Sequence, residues 1–222
     1  MYSAKMKNNI KTKLKMKNIN PVGNFACVDL EATCCNEGTI GKYDSEIIEI
    51  GAVAFDSHGK VVSEFERFIK PVVHKRLRPF CIQLTGITQE MVDNANYAST
   101  VFREFREWMI DHNIQVWGSW GLYDRKAFPR HANLLGIKSP IEDFIYVNYK
   151  NIVARLNSHK PRGMQRALRY YNMEFEGNPH RGIDDARNLL RILNATEHVR
   201  IGIVEAGSNY LLSSNGNEKD AS

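Results

Sequence analysis

Asp29 and Glu31 stand one residue apart in the run Phe25-Ala26-Cys27-Val28-Asp29-Leu30-Glu31-Ala32-Thr33. The run starts as a buried β-strand, with small or apolar residues at 25–28, aromatic Phe25 and β-branched Val28. In an extended chain, residues i and i+2 project from the same face, so the two carboxylates leave the strand end together. Like charges held that close repel unless a proton or a cation lies between them. Convergent oxygen-only donors suit a hard divalent ion, Mg²⁺ or Mn²⁺. A lone acid-x-acid pair is also ordinary where a strand runs into a polar loop, so its meaning depends on partners further along.

Asp124 lies just past the short apolar run Gln115–Ser119, at the start of a helical pattern. Ligands of α/β sheets bind at strand ends and in the loops after them, although the helix macrodipole alone favours an acid at such a position. His180-Arg181-Gly182-Ile183-Asp184-Asp185 opens the last strongly amphipathic segment. Helical phase puts Asp185 on one face with Leu189, Ile192 and Leu193, and Asp184 on another with Asn188 and Arg191. Asp185 is therefore expected to point inward, where a carboxylate needs a cation or strong hydrogen bonds. Asp184 is expected to face solvent and act as a cap. An imidazole with an unperturbed pKa of about 6.5 can serve as a base near neutral pH, which gives His180 a role beside an inward acid.

The elements that must position these groups follow from pattern. Glu46–Phe55 reads as a core strand, and Asp56-Ser57-His58-Gly59 as a hairpin turn into a strand at Val61–Ile69. Leu84-Thr85-Gly86-Ile87-Thr88 reads as a turn opening a short helix, with Thr88 as its cap. Val101, Phe102, Phe105, Trp108 and Met109 predict an amphipathic helix from about Ser99 to His112. A strand at 115–119, a helix from Leu122 to Leu135 ended by Gly136, a strand at Asp143–Asn148 and helices near Gly163–Tyr171 and Gly182–Glu197 complete the set. A meander of strands followed by alternating strands and helices indicates one α/β domain with a mixed, twisted sheet. Trp117 reads as core. Trp120 could offer a face for a base to stack on. Glu49 is expected to face solvent or a lysine, and Lys160, Arg162 and Arg166 form a small basic cluster.

The chain has 222 residues, 43% of them hydrophobic, and a formal charge of +5. Residues 1–20 carry six lysines and no acid, more than the whole net charge, so the remainder is slightly acidic. Its basicity is thus no argument for a nucleic-acid-binding body. The leader, 1–20, is expected to be disordered, with a phosphate-binding arm as the alternative. Residues 204–222 are expected to be a disordered tail, leaving a domain at 21–203. No apolar run reaches the roughly 18–20 residues of a membrane span, and the first twenty residues lack the apolar core of a secretory signal. Cys27, Cys34, Cys35 and Cys81 form no C-x-x-C pair and are expected to be reduced thiols of a cytoplasmic protein.

Taken in the order Asp29, Glu31, Asp124, His180, Asp185, the chain resembles the DnaQ-like 3′–5′ exonucleases of the DEDDh branch. The resemblance rests on Asp29-Leu30-Glu31, on Asp124 in WGLYDRKAF, and on His180 with four residues before Asp185. The sister branch would have tyrosine where Arg181 stands. EATC, FCIQLTGIT and HRGIDDARN are most similar to the enhanced-RNAi exonuclease subgroup, which trims structured RNA 3′ ends. The likeness spans about Asn24 to Ile201. It implies an RNase-H-like fold with a mixed five-stranded sheet flanked by helices, and a metal-dependent 3′–5′ exonuclease acting on nucleic-acid 3′ ends, RNA favoured over DNA. It further implies two Mg²⁺ ions, with Mn²⁺ substituting. Asp29, Glu31 and Asp185 would hold the first, Asp29 would bridge to the second, and Asp124 would reach the second. His180 would be the general base. The backbone around Leu30, Ala32 and Thr33 would meet the 3′ hydroxyl and Leu84 the terminal base, with Trp120 as the stacking candidate. The alternatives are a DNA-proofreading or repair exonuclease of the same fold, or a nucleic-acid-binding module without catalysis. Such a module would usually have lost one of the five residues.

Overall fold

The computed structural model describes residues 23–41 and 44–216. Strand β1 (Asn24–Ala32) pairs antiparallel with β2 (Ile47–Phe55), which pairs antiparallel with β3 (Val61–Lys70). The turn between β2 and β3 is closed by Asp56, whose Oδ1 accepts the His58 and Lys60 amides. On the other side of β1 lie β5 (Ile114–Ser119) and β6 (Ile145–Asn148), both parallel to it. A two-residue strand, β4 (Asn96–Tyr97), adds to the edge of β3, and the sheet order is β4-β3-β2-β1-β5-β6. The sheet is therefore six-stranded rather than five-stranded. Two residues cannot display the alternation that marks a strand in sequence.

Helices cover both faces. Short helices α1 (Pro79–Thr85) and α2 (Gln89–Asp93) follow β3, with Gly86 left-handed between them and the Thr88 hydroxyl accepting the Met91 amide. Helices α3 (Ala98–Asp111) and α4 (Tyr123–Leu135) bury Phe102, Phe105, Trp108 and Phe128 against Ala26, Val28, Leu30, Ala52 and Trp117. The opposite face takes α5 (Tyr149–Leu156), α6 (Met164–Tyr170), α7 (Gly182–Leu193) and α8 (Glu197–Gly216), which enclose Phe25, Cys27, Val53 and Phe55. The sheet is thus the middle layer of three, as expected of an α/β domain. No helix among the described residues is long and apolar enough to cross a membrane.

The tail is corrected in part. Residues 204–216 continue α8 instead of ending the ordered chain, and Val199, Ile203 and Val204 are core residues. Small side chains let this helix lie close to the sheet: a Cβ on Gly207 would fall 2.6 Å from the Phe25 ring. The small residues behind the expectation of a disordered tail let the helix pack closely here. The leader at 1–20 and positions 217–222 lie outside the described residues.

Candidate active site

The alternation of β1 sets the site. Its odd residues Phe25 and Cys27 enter the core beneath α5–α8, and the same face continues with Asp29 and Glu31 past the edge of that core. The even residues Ala26, Val28 and Leu30 belong to the opposite core. Across the ladder, Asp29 faces Gly51 and Glu31 faces Glu49 on β2. A Cβ at Gly51 would lie 2.0 Å from the Gly182 carbonyl carbon, so the first turn of α7 rests directly on strand backbone. That contact brings Asp185 over the strand end. One oxygen each from Asp29, Glu31 and Asp185 lie within 4.8 Å of one another. The inward phase of Asp185, shared with Leu189, Ile192 and Leu193 at 0–1% exposure, is what the helical spacing predicts.

Asp124 lies outside this trio but next to it. It is in the first turn of α4, 6% exposed, and its Oδ1 accepts the Leu30 amide at 3.1 Å. That bond ties the start of α4 to the residue between the two strand acids. His180 stands at the exposed rim in a left-handed conformation, φ 65°. Its N–H donates to Asp185 Oδ2 at 2.7 Å, so Asp185 fixes the backbone that carries the imidazole.

Two sequence readings change here. Glu49 is fully buried instead of facing solvent. Its Oε2 accepts the Gly182 amide at 3.0 Å and the Arg181 Nε–H at 3.3 Å, and Arg181 continues to Glu66 at 2.7 Å. A buried carboxylate is tolerated where a helix N-terminus and a guanidinium neutralise it. Asp184 does not face open solvent either, nor does it cap its own helix. Its Oδ2 accepts the Asn178 amide at 2.9 Å and its Oδ1 an Arg187 N–H at 3.1 Å. Asn188 bonds both backbone groups of Glu176, and Arg191 reaches the Glu174 carbonyl. The face assigned to solvent therefore laces the 174–178 loop to α7, and that loop leads into His180. Glu49, Gly51 and Asn188 were missed as site-building residues. Their partners lie on other elements, so their spacing in the sequence carries no signal of this.

The residues expected to contact substrate differ in their exposure. Leu30, Ala32 and Thr33 are buried. The Leu30 amide is taken by Asp124, and Thr33 exchanges two bonds with Glu46: its N–H donates to the Glu46 carbonyl and its Oγ1 accepts the Glu46 amide. Leu84 is 37% exposed on α1. Trp120 is half-buried against the core, and its Nε1–H donates to the Arg162 carbonyl at 2.9 Å, while the Arg162 guanidinium lies over the Tyr170 ring. Trp117 is core, as expected.

Burial, and after it the neighbouring carboxylates, hold the acids above their ordinary range. Asp29 is raised well above it, Glu31 to about 9, and Asp124 and Asp185 to about 6. In Asp124 and Asp185, hydrogen bonds oppose the rise without cancelling it. Four acids that resist ionising side by side are a donor set that fits divalent cations, whose charge replaces the missing protons. A folded-state pKa above the unfolded one means the folded protein binds more protons between the two values. The contribution of these acids to stability is then present in full below about pH 4 and is lost as pH rises toward about 9. In EDTA, the melting temperature is expected to fall across this window. Mg²⁺ should raise it, by an increment that grows with pH. Thermal melts at matched pH with and without Mg²⁺ test this; a flat profile indifferent to metal would mean the acids do not form a cation site.

Residues 26–193 match the RNase T family model, described as Exonuclease. The chain is 32% identical over 199 residues to 3′-5′ exoribonuclease 1 of Rattus norvegicus, covering 82% of this chain and 56% of the relative. It is 31% identical over 180 residues to ERI1 exoribonuclease 3 of Homo sapiens, covering 76% and 52%. The chain thus spans about half the length of these curated relatives. Among solved structures, it is similar to a 3′-exonuclease in a structure of 3′-end-specific recognition of a histone mRNA stem-loop, with TM-score 0.73, 24% identity and coverage of 85% and 84%. The nuclease domain of 3′hExo, a DEDDh family member bound to rAMP, gives TM-score 0.72 at 24% identity, covering 84% and 94%. At that identity the two structures speak for the fold.

Proposed function

Because the chain belongs to the exonuclease family, we propose that it is a 3′–5′ exonuclease that hydrolyses phosphodiester bonds from the 3′ end of RNA. The observation that carries this reading is the convergence of Asp29, Glu31 and Asp185, with Asp124 beside them and His180 bonded through its backbone to Asp185. The relatives' names, as exoribonucleases, support RNA as the substrate here.

Asp29, Glu31 and Asp185 would hold one Mg²⁺, and Asp29 with Asp124 a second, with Mn²⁺ as a substitute. Bound there, the ions would neutralise charge on the scissile phosphate and on the leaving 3′ oxygen. His180, at the exposed rim, takes the proton of the attacking water, and Asp185 orients it by holding its N–H. Leu84, 37% exposed on α1, would meet the terminal base, with Trp120 as a second candidate for stacking. The backbone of 30–33, held by Asp124 and Glu46, would meet the terminal hydroxyl. A cytoplasmic location is our reading of the cysteine pattern.

Matched 5′-labelled RNA and DNA oligomers, single-stranded and duplex, test this. With Mg²⁺, RNA should shorten one nucleotide at a time from the 3′ end, a blocked 3′ end should protect it, and EDTA should stop the reaction. Faster shortening of DNA would move the protein to the DNA-processing alternative, and binding without shortening to the non-catalytic one.

A further inference from the structure

The opposite face of the sheet from Asp29, Glu31 and Asp185 carries a cleft at its β6 edge. It lies between β6, α4 and the connection at 137–144, and encloses about 550 Å³. Sites for small molecules commonly measure roughly 300–1,000 Å³. Trp117 lines it from the core shared with the even residues of β1, whereas Asp29 and Glu31 follow the odd ones.

Two buried side chains of this cleft have polar atoms that nothing answers. Trp117 is fully buried and Ser139 is 4% exposed. Neither the indole Nε1–H nor the Ser139 hydroxyl has a hydrogen-bond partner among the described residues. Buried polar groups are normally partnered. One water could serve both, but the space far exceeds the roughly 30 Å³ that a water occupies. Charge is arranged at the mouth, where Arg125 and Glu142 are exposed. The Arg125 guanidinium lies over the Tyr146 ring at 5.1 Å, and no carboxylate pairs with it among the described residues. Glu142 Oε1 accepts the Ser139 amide at 3.3 Å, and its Oε2 lies 3.7 Å from Lys138 Nζ. Phe144, Ile141 and Pro129 supply the apolar wall.

We propose that this cleft binds a nucleoside 5′-monophosphate. The planar guanidinium of Arg125 takes the phosphate through paired N–H donors. The flat base rests against Phe144 and Ile141, and acceptors on its edge take up the Trp117 and Ser139 donors. Glu142 accepts from the ribose hydroxyls. Phosphate alone would leave the two buried donors unanswered, and an apolar ligand would leave both them and Arg125 unused. Leu122 and Arg125 bracket Asp124 in the chain, so the occupant rests on the turn that carries one of the four acids. A mononucleotide is also the product of the exonuclease reading, but the site rests on the cleft and not on that reading.

The test follows the indole N–H signals of the three tryptophans in the isotope-labelled full chain, in EDTA so that cleavage plays no part. Trp108→Phe and Trp120→Phe proteins assign two signals and leave Trp117 as the third. Uridine 5′-monophosphate is the probe, because uracil carries two carbonyl oxygens. The Trp117 signal should move downfield and saturate. Ser139→Ala and Arg125→Gln should each weaken binding about tenfold or more. Ser139→Ala should melt no lower than the wild type, because its hydroxyl has no partner to lose. Uridine and inorganic phosphate should each bind at least about tenfold more weakly than the nucleotide. A still Trp117 signal with a moving Trp120 signal would send the nucleotide elsewhere and overturn the proposal. So would a cleft that holds water only, with no signal moving, or binding undiminished in both variants. Absence of RNA cleavage with Mg²⁺ would sink the exonuclease reading and leave this binding result standing.

Discussion

The Asp29→Asn protein is expected to lose RNA cleavage by on the order of a thousandfold while keeping its fold. Asp29 is the carboxylate most surrounded by others, with Asp124, Asp185 and Glu31 all raising its pKa after burial itself. Cation binding at a phosphoryl centre is worth several kcal/mol, and each 1.36 kcal/mol, roughly, is tenfold in rate; removing the shared ligand therefore costs about three decades. Asparagine has the same shape and no charge, so the repulsion that strains the metal-free protein is relieved. At about pH 8 in EDTA, the variant should melt no lower than the wild type, and the Mg²⁺-dependent rise in melting temperature should shrink or vanish. Steady-state kinetics and the paired melts check both halves. A variant retaining a tenth or more of wild-type turnover would remove Asp29 from the centre of the mechanism.

A second large effect should separate two adjacent residues of one helix. Asp185→Ala removes a carboxylate from the trio and the acceptor of the His180 amide together, so its loss of turnover should match that of Asp29→Asn. Asp184→Ala removes the bond to the Asn178 amide and the pair with Arg187. Hydrogen bonds to charged groups contribute about 1.5–3 kcal/mol, so this variant should melt lower yet retain most of its activity. Loss of activity in Asp184→Ala, with Asp185→Ala active, would show that the loop-facing side of α7 carries the chemistry.

The acids were legible because two simple periods place them. Spacing by two residues on β1 puts Asp29 and Glu31 on one face, and helical phase turns Asp185 toward them. The class of the fold followed from the order of strands and helices. What could not be read depends on partners far apart in the chain. Glu49 looks like an ordinary strand acid until the amide of Gly182, 133 residues away, is found against it. Asp184, Asn188 and Arg191 form a polar stripe, which usually means solvent; here it grips the loop before His180. Helix α8 was hidden because Gly202, Gly207 and Ser208 lower its apolar content, and those small residues are what bring it onto Phe25, Val116 and Leu156. The helices α1 and α5 are short, and β4 is shorter still.

The seat of α7 on β2 has a consequence for how the protein tolerates change over generations. At Gly51 even a single methyl group would meet the Gly182 carbonyl carbon and the Ile183 amide nitrogen at about 2 Å, and neither is a flexible side chain that could move aside. The helix would have to lift, carrying Asp185 and the His180 turn away from Asp29. A lineage can therefore exchange surface residues remote from the site more readily than Gly51, where any side chain would meet backbone that cannot move aside. Inactive alleles gathered without regard to mechanism should include Gly51 beside the five chemical residues, although it has no side chain to offer the reaction.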